Sequence, residues 1–507
     1  MNTLTRRRFL ETSAAVGGAL VGLGDFSFLS RLPRVSAADA QLDPNLVRFD
    51  PALEPIVRLL EETPRDRLLE EVAYRIHHGL TYREVLAALL LAGVRNVQPR
   101  PVGFKFHAVL VVNSAHLASI SSPESDRWLP IFWALDYFKD SQARNVREGN
   151  WHLGPVDEAA IPPAHKARAA FIEAMNNWDE AAADVAVAGL ARSAKPNEIF
   201  ETFCPFGARD FREIGHKAIY VANSWRTLQH IGWHNAEPVL RSLAYALLDH
   251  EGENPSKRDA TPDQPWKRNQ ELARKIRADW QTGKSDDAAA NELLQVLRRG
   301  SDAEASDKVV ELLNRGISAQ SIWDGLFDGA CEMLMQDPGI RTLHAVTSTN
   351  ALHFAFKTSA NDETRRRLVL QNAAFLPLFR GAPDGRKKAL FIDQLEPVKL
   401  KASGSEAVTE IFAEVSRDRA TAARKVLAYL KDNPDPTEFI NAARRLIFLK
   451  GDNAHDYKFS AAVLEDYAHI SPAWRDRYLA ASVFNLHGSG DKDNGLVKRT
   501  REALKAA

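Results

Sequence analysis

The chain repeats itself at a nearly constant spacing. Five residues of one segment match five residues of a later one at an offset of 237 positions without a gap. The matched pairs are Gly79 and Gly316, Val85 and Ile322, His107 and His344, Asn113 and Asn350, and His116 and His353. A second set follows at an offset of 239, where His216, Tyr220 and His230 match His455, Phe459 and His469. Four matched histidine pairs are far more than chance gives for 15 histidines in 507 residues. The sequence therefore predicts two tandem halves.

Apolar residues recur at helical spacing in four long stretches, and alternating β-branched runs are almost absent. The stretches are Leu68 to Val97, Ala167 to Arg192, Lys308 to Met335 and Ala420 to Leu449. A short break with cap or proline signals lies in or beside each stretch, at Gly79, Ser193, Gly316 and Asn433. The pattern predicts an all-α fold of helical repeats, arranged as two tandem halves with pseudo-two-fold symmetry and two repeats in each half.

Three segments are expected along the chain. Residues 1–40 form a signal peptide, 41–268 an N-terminal helical half and 269–507 a C-terminal helical half. The polar, proline-bearing stretch 251–269 is the expected connection, because it lacks an apolar face. Stretches 139–165 and 380–406 are predicted to be irregular loops of the length that often forms a lid or a binding element.

The N-terminus carries a twin-arginine signature. Thr5 to Leu10 reads T-R-R-R-F-L, and a weakly apolar stretch from Ala14 to Gly24 follows. Small residues before Ala38 and Gln41 suit cleavage, and the apolar stretch is shorter than the roughly 20 residues of a bilayer span. The sequence thus predicts export of the folded chain through the twin-arginine translocase to the periplasm or cell envelope, with no membrane span after cleavage.

Charge balance, cysteine content and missing motifs restrict the possible binding partners, metal sites and enzyme classes. Lys plus Arg equals Asp plus Glu at 66 each, so bulk charge favours neither nucleic acid nor a membrane surface, and a small-molecule substrate is the more natural partner. The chain has two cysteines, Cys204 and Cys331, which allow at most one disulfide and exclude a cysteine-based zinc site. No glycine-rich phosphate loop or nucleophile elbow is present, which disfavours nucleotide enzymes and serine hydrolases.

The matched histidines are the candidate site residues. A neutral imidazole can ligate a metal or relay a proton, so converging histidines from both halves would form a pocket for chemistry. The candidate catalytic residues are His107, His216, His344 and His455. The candidate cofactor-binding residues are Asn113, His116, Asn350 and His353. The candidate ligands of a histidine-bound metal, whose identity is open, are His107, His216, His230, His344, His455 and His469.

Structural roles are the open alternative for each histidine pair, since a buried imidazole often satisfies a backbone group. His107 and His116 lie nine positions apart, on opposite faces of one helix, and cannot bind the same ion. His230 and His234 form a weak metal motif without the glutamate of H-E-x-x-H. If the pairs are buried separately, the chain is a non-catalytic helical-repeat binding or scaffold protein instead.

Two stretches resemble the questin oxidase-like family, namely G-H-K-A-I-Y-V-A-N-S-W-R-T-L from Gly215 and F-K-F-H-A-V-L-V-V-N-S-A-H from Phe104. That resemblance implies an all-helical oxidoreductase that uses dioxygen to oxidise an aromatic or polyketide-like substrate. It also implies roles for His107, His216, His344 and His455. The twin-arginine signal and the shorter histidine clusters depart from the family. The stretch from Gly79 to Gly93 also looks like the start of a carboxymuconolactone decarboxylase or peroxidase-type helix, without the cysteines that those peroxidases use.

Overall fold

The computed structural model describes residues 43–380 and 390–506. The predicted twin-arginine signal lies outside these residues. In the described part, 23 α-helices and no strand are present, which confirms the all-α prediction. None of the described helices combines the length and the apolar character that crossing a membrane requires.

The helices follow one another closely along the chain. Their bounds are α1 Glu54–Glu62, α2 Arg65–His77, α3 Tyr82–Asn96, α4 His107–Leu110, α5 Val112–Ile120, α6 Leu129–Arg147, α7 Ala164–Asn177, α8 Glu180–Ser193, α9 Pro196–Ala208, α10 His216–Ile231, α11 Ala236–Leu247, α12 Gln264–Lys275, α13 Asp287–Arg299, α14 Asp302–Asn314, α15 Ala319–Gln336, α16 Ile340–Thr358, α17 Asp362–Arg380, α18 Gly404–Val415, α19 Arg419–Asp432, α20 Thr437–Lys450, α21 Ala454–Asp466, α22 Arg475–Ser482 and α23 Gly495–Ala506.

The predicted breaks separate helices as expected, and local chemistry explains why. Gly79 and Gly316 have φ angles of +102° and +92°, a region that suits glycine. Thr81 caps α3 in a capping box with Glu84, and Ser318, at the matching position, caps α15 by accepting a hydrogen bond from the Ser321 amide. Matched sequence positions therefore begin matched helices.

Four helical segments form the centre of the molecule, and we call them the histidine helices: α4 with α5, α10, α16 and α21. The segment α4–α5 contacts α10 and α21, and α16 contacts the same two helices. The histidine helices thus make a closed ring in which the two members from the first half, α4–α5 and α10, are followed by the two from the second half, α16 and α21. A ring of this order is what a two-fold axis between the halves would produce.

The described residues from Val47 onward form one compact unit. The boundary predicted between residues 268 and 269 falls inside α12, where buried Asn269 donates a hydrogen bond to Gln371. The predicted loop 139–165 begins later than expected, because α6 continues to Arg147 through the buried polar residues Lys139, Ser141 and Asn145. Cys204 and Cys331 are both buried and free.

One ion pair occurs twice with its charges exchanged. Arg95 on α3 makes two hydrogen bonds of 2.8 and 2.7 Å to the Glu61 carboxylate. Arg298 makes two of 2.7 and 2.6 Å to Glu332, and residues 298 and 332 are the positions that match 61 and 95. The arginine and the glutamate have traded places while the contact is kept. This agreement supports the tandem duplication, which stays a prediction.

Asp328 provides a pH-dependent test of stability. Its side chain is fully buried on α15, both carboxyl oxygens lack a hydrogen-bond partner in the described structure, and burial raises its pKa well above the usual value. Because the folded state holds the proton more tightly than the unfolded chain, stability falls as pH rises above about 4. We expect Asp328→Asn to raise the free energy of unfolding at pH 7 by roughly 1–3 kcal/mol, and the gain to vanish near pH 4.

Urea unfolding of both proteins between pH 4 and pH 8 measures this difference. Asp324→Asn is the matched control, since Asp324 lies one turn away but accepts hydrogen bonds from the Ser471 amide at 3.0 Å and the Ser471 hydroxyl at 2.7 Å. That control is expected to lose stability. A pH-independent effect of Asp328→Asn would contradict the assignment of an unpaired buried carboxyl.

Candidate metal centre

Four histidines meet where the histidine helices begin, and we call them the four-histidine cluster: His107, His216, His344 and His455. The ring centroids are 4.9 Å apart for His107 and His216, 4.3 Å for His216 and His344, 5.2 Å for His344 and His455, and 4.7 Å for His455 and His107. Each histidine lies within five residues of the start of its helix. The four candidate catalytic residues are thus brought together, one from each histidine helix.

Backbone carbonyl groups orient these rings. The Nδ1 atom of His216 lies 2.7 Å from the Glu213 carbonyl oxygen, and that of His344 lies 2.7 Å from the Ile340 carbonyl oxygen. Since a carbonyl only accepts, each Nδ1 carries the proton, and each Nε2 is left as a bare acceptor. The backbone of Phe104 acts on His107 in the same direction, since it raises the pKa of that ring against the larger effect of burial. Nδ1 held by a carbonyl is the usual arrangement around a metal-bound histidine.

The freed nitrogen atoms face one another. The Nε2 atoms of His107 and His216 are 2.9 Å apart. His107, His344 and His455 each offer a nitrogen within 4.8 Å of the others, and the buried Nε2 of His455 has no hydrogen-bond partner in the described residues. Two nitrogens bound to one metal ion at about 2.1 Å lie about 3.0 Å apart when they are at right angles and about 3.4 Å apart in a tetrahedron. The donor set therefore fits a metal ion bound by several imidazoles.

Burial and neighbouring charge keep these imidazoles neutral. Burial, followed by the charge of Lys458, lowers the pKa of His107, His216 and His344 well below the usual value, and lowers that of His455 to about 4. Metal ligation requires a neutral imidazole. The cluster is therefore ready to accept a cation at any pH above the acid range.

Lys458 is a further buried residue of the cluster that the sequence analysis did not predict. Its Nζ atom donates to the Nε2 atoms of His216 and His344, at 3.4 Å each. Complete burial lowers the pKa of Lys458 to about 7, so the neutral amine is accessible near neutral pH. The sequence contains one indication of this position. Lys458 lies one helical turn after His455, and the matching position in the first half holds Ile219. A lysine in place of a buried isoleucine indicates a special role.

His230 and His469 lie apart from the cluster, unlike the predicted metal set. Both side chains are exposed. His230 lies 14 residues after His216, and His469 lies 14 residues after His455, which corresponds to about 21 Å along a helix. His230 pairs instead with His116, at 4.1 Å between ring centroids, and His469 with His353, at 5.1 Å. His116 also contacts the Tyr82 hydroxyl at 3.0 Å. These two pairs are symmetric in position and remote from the four-histidine cluster.

The two candidate asparagines line a narrow space that we call the inner cavity. It has a volume of about 20 Å³, reaches Lys458, and is also bordered by Arg226 and Glu465. Arg226 and Glu465 occupy matching positions at the offset of 239 and bind each other at 2.6 Å. Asn350 donates to Glu465 at 2.8 Å and to Asp466 at 2.7 Å. Contact between matching residues is expected only beside a symmetry axis, so this pair lies where the predicted axis would pass.

Comparison of the chain with family models, curated proteins and solved structures gives no match. The proposed chemistry therefore rests on the geometry of the site and on the resemblance described above.

Gly103 offers a direct test of how the cluster is positioned. It has a φ angle of +131°, and a Cβ atom there would lie 3.1 Å from the His216 ring. Gly79, with a φ angle of +102° and no atom within 4 Å of an added Cβ, is the matched control. We expect Gly103→Ala and Gly79→Ala each to cost about 1–3 kcal/mol of stability from backbone strain.

Metal affinity should separate the two variants. Displacement of the His216 ring in Gly103→Ala is expected to weaken metal binding by about 10-fold or more, whereas Gly79→Ala should bind as tightly as the native protein. Titration of the metal-free proteins with Co²⁺, followed by its visible absorbance, measures this. Equal affinities in the two variants would show that the His216 position does not control the site.

Proposed function

We propose that this chain is an exported, metal-dependent oxidoreductase that acts on a small organic substrate of the aromatic or polyketide-like class. The four-histidine cluster would hold one transition-metal ion, with His107, His216, His344 and His455 as ligands. The twin-arginine signature supports this proposal, because that route carries proteins that have already folded around a cofactor. The resemblance to the questin oxidase-like family supports an oxidation that uses dioxygen.

One observation carries the proposal: imidazoles from four helices converge, and the Nε2 atoms of His216 and His344 carry no proton, because each Nδ1 donates to a backbone carbonyl. In the described residues, Lys458 is the hydrogen-bond donor between the rings of His216 and His344, and its Nζ atom lies 3.4 Å from each Nε2 atom. Bare nitrogen lone pairs at close range repel, and a cation bound between them removes that repulsion. Separately buried histidines, which the scaffold alternative requires, would not show this arrangement.

The donor set indicates the kind of metal. Imidazole suits zinc, copper, iron and nickel, whereas calcium and magnesium prefer oxygen ligands. Four neutral imidazoles leave the full charge of the ion uncompensated, so the site would also attract an anionic substrate group. A redox-active ion bound here would supply the electron transfer that side chains of this cluster cannot provide.

Lys458 is suited to move a proton beside the metal. With a pKa of about 7, its amine can accept a proton from a substrate hydroxyl and return it to solvent or product. The inner cavity reaches Lys458, and the charged residues on its wall, Arg226 and Glu465, already pair with each other. A substrate group that enters the cavity would thus contact the lysine without breaking an ion pair.

Metal analysis tests the proposal. We expect protein exported with its signal and purified without chelators to contain close to one iron, copper or zinc ion per chain, and the metal-free protein to regain one ion on titration. Oxygen uptake with hydroxylated aromatic substrates then reports turnover. Failure of the metal-free protein to bind any of these ions, or Mn²⁺ or Co²⁺, would sink the metalloenzyme proposal.

The role of Lys458 needs its own variant. Lys458→Met should retain the metal and lose turnover by about 100-fold or more, the usual loss for a proton-transfer group. Metal content measured in the same preparation distinguishes the possibilities. Loss of the ion together with activity would make Lys458 a ligand and not a proton carrier.

A further inference from the structure

A second, larger space adjoins the inner cavity, and we call it the outer cavity. It lies between α5, α20 and α21, and has a volume of about 160 Å³. Leu117, Ala461 and Glu465 border both spaces. Apolar side chains that include Phe448 and Leu464 form much of its wall. The outer cavity is therefore a mostly apolar chamber whose inner wall is shared with the space that reaches Lys458.

Arg444 on α20 brings a charge into this chamber. Its side chain is half-buried and lines the cavity, and no ion pair or hydrogen bond to it is found in the described residues. Burial alone lowers the pKa of Arg444, with no carboxylate acting on it. Glu465, the acidic group on the same wall, is neutralised by Arg226 at 2.6 Å. A guanidinium that is half-buried among apolar groups is partly dehydrated, and an anion paired with it would supply charge-assisted hydrogen bonds that it lacks in the described structure.

The matching region lies between α9, α10 and α16 and is filled by larger side chains. Leu464 matches Trp225, and Leu117 matches Phe354. Trp225 and Phe354 both pack against Phe200, at 4.6 and 6.1 Å between ring centroids. Smaller side chains at 464 and 117 leave the second region open. The predicted duplication thus has one chamber with an arginine and one counterpart packed with aromatic rings.

We propose that the outer cavity binds an organic carboxylate built on a single ring, of the benzoate class, with its carboxylate on Arg444 and its ring against Phe448 and Leu464. This inference rests on the proposed function and narrows its substrate class. A cavity of about 150 Å³ accepts one benzene-sized ring, so the volume excludes fused polycyclic molecules unless the walls move. Guanidinium pairs with carboxylate through two parallel hydrogen bonds, which accounts for the choice of acid over alcohol.

Binding of sodium benzoate to the metal-free protein tests this proposal without any turnover. We expect saturable binding by calorimetry or ligand-observed NMR, at least 10-fold tighter for benzoate than for the neutral isostere benzamide. Arg444→Met should remove that preference. Arg445→Met is the matched control, because Arg445 is the adjacent residue but is exposed and does not line the cavity.

A second variant tests the cavity itself. Leu464→Trp copies the residue at the matching position and should abolish benzoate binding while leaving metal binding intact. Equal binding of benzoate and benzamide, or unchanged benzoate affinity in Arg444→Met, would overturn the proposal. The two proposals can fail separately, because benzoate binding is measured on the metal-free protein. If the protein binds benzoate but no metal, the proposed function alone is refuted. If it binds metal but not benzoate, this inference alone is refuted.

Discussion

Replacement of His344 by alanine is expected to lower metal affinity by at least 100-fold and to leave no measurable turnover. His344 contributes a bare Nε2 atom, and its Nδ1 proton is held by the Ile340 carbonyl at 2.7 Å. Removal of a residue that merely orients a ligand typically costs 10- to 100-fold in affinity, so loss of the ligand itself should exceed that. The metal content of dialysed protein and titration of the metal-free variant with Co²⁺ measure the effect.

His230 and His469 provide the controls for this experiment. Both belong to the metal set predicted from sequence, and both lie on the surface about 21 Å from the cluster along their helical segments. His230→Ala and His469→Ala should therefore keep one metal ion per chain and near-native activity. If either variant loses the ion as completely as His344→Ala, the metal lies at the outer histidine pairs and the proposed centre is misplaced.

The spacing of apolar residues predicted the all-α fold. Helical spacing in the four apolar stretches predicted helices on both sides of each break, because burial of one helical face leaves a clear pattern. The constant offsets predicted that matched histidines share an environment, and the cluster agrees for His107, His216, His344 and His455. The predicted boundary after residue 268 lies inside α12, whose polar residues gave no sign that Asn269 is buried.

Other features of the site could not be predicted from the sequence, for physical reasons. Residues at intervals of seven share a helical face, so the spacing of 14 predicted that His216 and His230 bind the same metal. The rise along the helix axis nevertheless separates them by about 21 Å. Periodicity also does not reveal that a lysine on a buried face points inward, as Lys458 does. Glu213 and Ile214 have φ angles of +57° and +43° just before His216, and nothing in their side chains signals that strain.

The second large expected effect is a loss of stability when Arg95 is replaced. Its side chain is fully buried and binds Glu54 at 2.6 Å and Glu61 at 2.7 Å. Arg95→Met is expected to lower the free energy of unfolding by about 3–5 kcal/mol, because two nearly buried carboxylates lose their partner. Urea unfolding measures the loss. Lys267→Met, on the exposed pair with Asp259, is the control and should cost less than about 1 kcal/mol.

A charge exchange at the same site tests the predicted duplication. Arg95→Glu alone should be at least as damaging as Arg95→Met, since it brings a third carboxylate to Glu54 and Glu61. Addition of Glu61→Arg and Glu54→Gln recreates the order found at Arg298 and Glu332, where arginine comes first and glutamate 34 residues later. We expect this combination to recover at least half of the stability that Arg95→Glu loses. No recovery would mean that the two ion pairs occupy different environments, and the matching of the halves at these positions would then be accidental.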